Sequence, residues 1–272
     1  MVTNRRTLIA ACATVAGVVV LVASSVAPVS GQGQSGTIVG HVKYAGPTPV
    51  NPVIRMGADP RCNKLYVGKR PTAPTFVVAA DGGMANVFAS LEGSFPAAPA
   101  PAGPVVIDQK DCVFVPHVVG GRIGQTLQAK NSDITGHNVH SLSMVGNNFN
   151  TSQPSAGMVF EYRLKAGEIL RIKCDFHPWM SVYVAILDHP YFATTAADGT
   201  FTIANVPAGK QTVRVWHEVM GVQTQTVDVQ PGKTTAVDFA FKPSAKPAAA
   251  VRTREFVLPA AVAEATLLLA AR

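Results

Sequence analysis

From residue 37 to residue 241 the chain is a succession of short runs in which apolar and polar residues alternate, each soon cut by Gly, Pro or Asn. A period of two sends successive side chains to opposite faces of a sheet, so these runs read as strands. They fall at 37–44, 75–79, 86–91, 113–119, 126–129, 138–142, 158–164, 169–174 and 182–187, and then at 212–216, 224–229 and 235–241. Asp198-Gly199 and Pro207-Ala208-Gly209 supply hairpin turns in the second set. Only 14% of residues are charged while 20 Pro and 23 Gly punctuate the chain, which excludes a helical bundle, and 47% hydrophobic residues exclude a disordered chain. The expected class is all-β, built from sandwiches or barrels.

The N-terminus has a different character. After Arg5-Arg6 no charge occurs from residue 8 to residue 27, and small residues with Pro28 follow. This is the pattern of a secretory signal over 1–31, which places the mature chain in the periplasm or outside the cell. The paired arginines resemble a twin-arginine export signal, and the 20 uncharged residues would serve as a membrane anchor if left uncleaved. Cys12 does not make a lipoprotein site, because most of the apolar stretch follows it. Two of the 23 basic residues are Arg5 and Arg6; the other 21 stand against 16 acids and form no basic run, so nucleic acid is excluded as a partner.

Export leaves Cys62, Cys112 and Cys174, an odd number in an oxidising compartment. One reading is a disulfide plus an inert buried thiol. The sharper one pairs Cys62 with Cys112 and keeps Cys174 for chemistry, because its neighbours are unusual. Cys174-Asp-Phe-His177-Pro-Trp-Met180 joins two strand-like runs and sets thiolate, imidazole and thioether on one loop. A trigonal His₂Cys set with a weak axial Met is the donor set of copper that cycles between Cu(II) and Cu(I). The second imidazole must come from elsewhere. Gly136-His137-Asn138-Val139-His140 offers two, and His137 is preferred because it belongs to the turn, leaving His140 as a hydrogen-bonding strand residue. Zinc fits less well, since the set lacks a harder fourth ligand.

Phe114-Val-Pro116, Gly124-Gln-Thr-Leu127, Asn131-Ser-Asp133 and His137-Asn138-Val139, followed by Cys174-x-x-His177-x-x-Met180, resemble the cupredoxins of the plastocyanin and amicyanin group. That resemblance implies a Greek-key sandwich with one type 1 copper held by His137, Cys174, His177 and Met180, and with Asn138 tying the two ligand loops together. Val182 stands where such a domain usually carries Gly shortly after the axial Met. Further on, residues 198–217 resemble a carboxypeptidase regulatory-like, transthyretin-like sandwich, which implies a structural or carbohydrate-binding module without catalytic residues. The expected organisation is a loop-rich β region and cupredoxin-like domain over 36–188 with its core at 105–188, a second small antiparallel sandwich over 189–243, and a linker with a short C-terminal helix over 244–272.

No nucleophile elbow, zinc-protease helix, phosphate loop or nucleotide fingerprint is present, so no enzyme is expected. The leading expectation is an exported blue-copper electron carrier serving a redox protein partner. Pro178 and Trp179 flank His177 either as local packing or as the apolar rim of a docking patch around a solvent-edge imidazole. Two other classes stand beside it: copper storage or delivery without electron transfer, and a metal-free secreted interaction module.

Overall fold

The computed structural model describes residues 35–243; the expected signal segment at 1–31 and the linker and helix at 244–272 lie outside the described residues. The chain is all-β. Strand β1 (Ser35–Tyr44) leads through a long loop carrying a six-residue helix, α1 (Pro60–Leu65), to β2 (Phe88–Glu92). Nine strands follow: β3 (Val105–Lys110), β4 (Val113–Val115), β5 (Val118–Arg122), β6 (Thr126–Asn131), β7 (His137–Ser141), β8 (Asn150–Gln153), β9 (Val159–Arg163), β10 (Glu168–Lys173) and β11 (Ser181–Leu187). The described residues end with β12 (Phe192–Thr194), β13 (Thr200–Pro207), β14 (Gly209–His217), β15 (Gly221–Val229), β16 (Thr234–Ala236) and β17 (Phe239–Phe241). Among the described residues no helix is long and apolar enough to cross a membrane.

The strands from β3 to β11 make one sandwich. Its sheets have the orders β5-β11-β10-β7-β8 and β4-β3-β6-β9, with β5 parallel to β11 and β3 parallel to β6. Ile107, Leu127, Leu170, Ile172, Val182 and Val184 are buried together between the sheets. The run expected at 113–119 is two strands, because Pro116 has no N–H to give a ladder and interrupts it.

The second sandwich corrects the expected boundaries. Strand β1 pairs with β13, β16 and β17, and β2 lies between β12 and β14. Residues 36–92 therefore contribute strands to the sandwich assigned to 189–243, and the sandwich of β3 to β11 is inserted between its two parts. The cause is burial: Ile38, Val42, Ala89 and Leu91 have their apolar partners in Phe201, Val213, Val215 and Phe239. The run at 75–79 makes only an isolated bridge from Val78 to Met84.

Strand β11 explains how the sandwiches adhere. Val182, Val184 and Ile186 enter the first core, while Ala185 and Leu187 join Phe88 and Trp216 of the second sandwich. A strand buried on both faces is apolar throughout rather than alternating, as Val-Tyr-Val-Ala-Ile-Leu is. Within the second sandwich, Gly83 sits against the turn before β13. A Cβ there would lie 1.8 Å from the Asp198 carbonyl oxygen, a backbone atom that cannot yield cheaply. Gly83→Ala is expected to destabilise the protein by about 2 kcal/mol, read as a lowered thermal midpoint.

Candidate metal centre

Strand pairing assembles the site. The antiparallel register Ile172↔Ser141 and Lys173↔His140, continued past the end of β10, sets Asn138 opposite Asp175. The Asn138 Oδ1 accepts the Asp175 N–H at 2.5 Å, and the Asn138 N–H points at Cys174 Sγ at 3.4 Å. Asn138 thus ties the start of β7 to the loop after β10. That second loop is closed on itself, for Met180 N–H donates to the His177 carbonyl at 2.9 Å and Cys174 N–H to the Met180 carbonyl at 3.2 Å. Cys174 and Met180 are both 1% exposed and belong to the first core.

Three ligand atoms converge here. The Nδ1 atoms of His137 and His177 are 2.9 Å apart, Cys174 Sγ lies 3.7 Å from His177 Nδ1, and the donor atoms of all three residues lie within 4.8 Å of one another. Each imidazole is held from behind by a carboxylate: His137 Nε2 donates to Asp133 at 2.9 Å, and His177 Nε2 donates to Asp59 at 3.1 Å. With the Nε2 protons committed in this way, each neutral ring presents a lone pair at Nδ1, facing the other ring and the sulfur. Lone pairs so arranged repel unless a proton or a metal cation lies among them. The donor set therefore fits a soft or borderline transition metal, with His137, Cys174 and His177 to hold it and Met180 buried beside them.

Without metal, a proton fills this role. Burial disfavours the charged form of His137, but its bonds to Asp133 and Cys174 outweigh burial and raise it to about 9. Burial likewise raises the Cys174 thiol, and its bonds to His137 and His177 and the Asn138 N–H more than reverse this, lowering it to about 6. His177 moves upward against its burial through Cys174 and Asp59. Asp59 is held well below the usual carboxylate range, for although burial raises it, Thr135, the Cys62 and Arg61 N–H groups and His177 all donate to it.

Sequence reasoning missed the cover of the site. Asp59 caps α1 by accepting from the Arg61 and Cys62 N–H groups, and Pro60 follows it at the first helical position, a start signal legible in the chain. The helix carries Cys62, which is bonded to Cys112 of the β3–β4 turn. Together these bury His177 to 3% exposure. Of the two readings of Pro178 and Trp179, the one with a solvent-edge imidazole is not met, because His177 is buried with Asp59, the cap of α1, on its Nε2. Pro178 is exposed, while Trp179 is half-buried, with its ring 5.0 Å from that of His177 and its Nε1 donating to the Cys112 carbonyl at 2.9 Å. His140 bonds to Asp175 outside the cluster. Asp133 belongs to a motif visible in the sequence, but its bond to His137 was not legible there.

The fold and donor set together define an all-β protein with a cluster of copper-type ligands. A family model described as carboxypeptidase regulatory-like domain matches residues 178–242. No curated protein matches the chain. Among solved structures, a purple cupredoxin from Nitrosopumilus maritimus is similar at 22% identity over 30% of this chain and 98% of its own, with a TM-score of 0.27. An amicyanin variant in its Cu(I) form is similar at 20% identity over 36% of this chain and 97% of its own, TM-score 0.28. A copper-containing nitrite reductase from Thermus scotoductus is similar at 17% identity over 35% of this chain and 24% of its own, TM-score 0.28.

Proposed function

We propose that this is an exported type 1 copper protein that carries single electrons to or from a redox protein partner, and that it is not an enzyme. The observation that carries the reading is the convergence of two Nδ1 atoms and one buried thiol, with both opposite Nε2 atoms engaged by carboxylates. Bound copper supplies a one-electron couple between Cu(II) and Cu(I). The residues supply rigidity: His137 is fixed by β7 and Asp133, His177 by Asp59, and Cys174 by the end of β10 and the Asn138 N–H. Ligands fixed in this way need not move when the charge of the ion changes. Exclusion of water is supplied by α1 and Trp179. Phe176, 56% exposed, and Pro178 lie on the same loop and offer an apolar surface to a partner.

The optical spectrum of the copper-loaded protein tests this. Oxidised wild type is expected to show intense visible absorption from the thiolate–Cu(II) bond, and Cys174→Ala to show none. Copper-loaded wild type without that absorption overturns the reading.

A further inference from the structure

Behind the two histidines lie two more groups of potential ligands. The Asp59 carboxylate, Cys62 Sγ and a His177 nitrogen lie within 4.8 Å of one another, as do Cys112 Sγ, the Asp133 carboxylate and a His137 nitrogen. In the first group the nitrogen on that side is Nε2, at 3.1 Å from Asp59 Oδ2 and 3.8 Å from Cys62 Sγ. The two groups are joined by the bond between their sulfurs. Cys62, Cys112, Asp133 and both histidines are buried. While the disulfide stands, neither sulfur is a thiolate, and each group offers a metal only an imidazole and a carboxylate.

We propose that reduction of Cys62–Cys112 opens a second metal site, for a thiophilic ion such as Cu(I) or Zn(II), on the Nε2 side of the histidines. The reductant is a dithiol: it gives two electrons and two protons, its own sulfurs become a disulfide, and the Cys62–Cys112 bond becomes two thiols. Metal binding then displaces the thiol protons, and the two thiolates hold the ion with the Asp59 carboxylate beside Cys62 as third donor. Thiolate sulfurs bind such ions at about 2.3 Å, so the sulfurs part to admit the ion between them. The carboxylate-to-imidazole hydrogen bonds mark where further donors already face this space. None of these three donors is Cys174, so the site does not depend on the electron-carrier reading.

The test uses the full chain with Cys12 and Cys174 replaced by serine, which leaves Cys62 and Cys112 as the only sulfur ligands of the cysteine type. Cadmium is the probe, since its thiolate complexes absorb in the ultraviolet. The oxidised protein is expected to show no thiolate–cadmium band. The reduced protein is expected to bind one ion with two thiolates, and excess Zn(II), or Cu(I) supplied as a chelate, to displace it. A further Cys62→Ser or Cys112→Ser is expected to weaken binding by about a hundredfold and Asp59→Asn by about tenfold. Two results overturn the proposal: a reduced protein of native circular dichroism that binds no more cadmium than the oxidised one, or a chain that unfolds on reduction even with cadmium present. Failure of the electron-carrier reading would instead appear in the oxidised protein that retains Cys174.

Discussion

Replacing Cys62 and Cys112 together by alanine is expected to lower the unfolding free energy of the metal-free protein by roughly 4 kcal/mol, the chain-entropy value for a closed loop of this length. The bridge spans 50 residues and lies between α1 and the β3–β4 turn, so its loss frees the segment from α1 through β2 and β3 in the unfolded chain. The native side makes the same point locally. A six-residue helix does not hold itself together in water, and α1 buries only Cys62. Without the bridge there remain the Asp59 network, the Arg61 bond to the Ile134 carbonyl, the Tyr66 bond to the Asp111 carbonyl and the packing of Ile54 and Met56 with Tyr66, Val113 and Trp179. Chemical denaturation measures the loss, and amide exchange over residues 56–66 should accelerate with it. A loss below about 1 kcal/mol, the worth of an ordinary hydrogen bond, would mean that side-chain contacts alone keep the cover closed.

The same residues separate what could be read from the chain from what could not. Strand period, turn residues and the spacing Cys174, His177, Met180 are local, and each reflects a constraint visible within a few positions. His137 was also legible as a candidate from its place at the start of a strand-like run, and the structure brings its Nδ1 to 2.9 Å from that of His177. The place of β1 and β2 was not. Their apolar alternation says that one face is buried but carries no address, and their partners lie more than a hundred residues away in β13, β14 and β17. Asp59 was hidden for a similar reason. Asp59-Pro60 announces a helix start, yet nothing nearby tells that the free carboxylate oxygen will meet His177, 118 positions further on. Long-range polar contacts of this kind have no periodicity to betray them.

The Asp133 carboxylate should govern how the metal-free protein responds to pH. It accepts the Asp111 N–H at 2.7 Å and the Cys112 N–H at 2.8 Å, and it binds His137 Nε2 as well. Asp111 and Cys112 occupy the left-handed region at φ 55° and 56°, a conformation costing about 1–2 kcal/mol per residue that these bonds offset. Asp133→Asn keeps the shape but loses the charge, and is expected to destabilise by about 3 kcal/mol, the lower end for breaking a buried charged pair. Burial raises Asp133, but His137 and the two N–H groups depress it below 3.8, so its contribution is present above that value and is lost as the pH falls through the depressed one. His137 runs the other way. Raised from 6.5 to about 9, it contributes fully below 6.5 and loses that contribution as the pH rises through about 9. The gap between wild type and Asp133→Asn should therefore be widest between about pH 4 and 6.5 and narrow on both sides, as urea titrations across the range would measure. A gap that stays level as the pH rises from 6.5 through about 9 would mean that Asp133 acts only through the turn N–H groups and that His137 draws no charge stabilisation from it. In the variant the His137 ring should also titrate nearer its ordinary value, which proton NMR of the imidazole reads directly, separating loss of the charged pair from loosening of the turn.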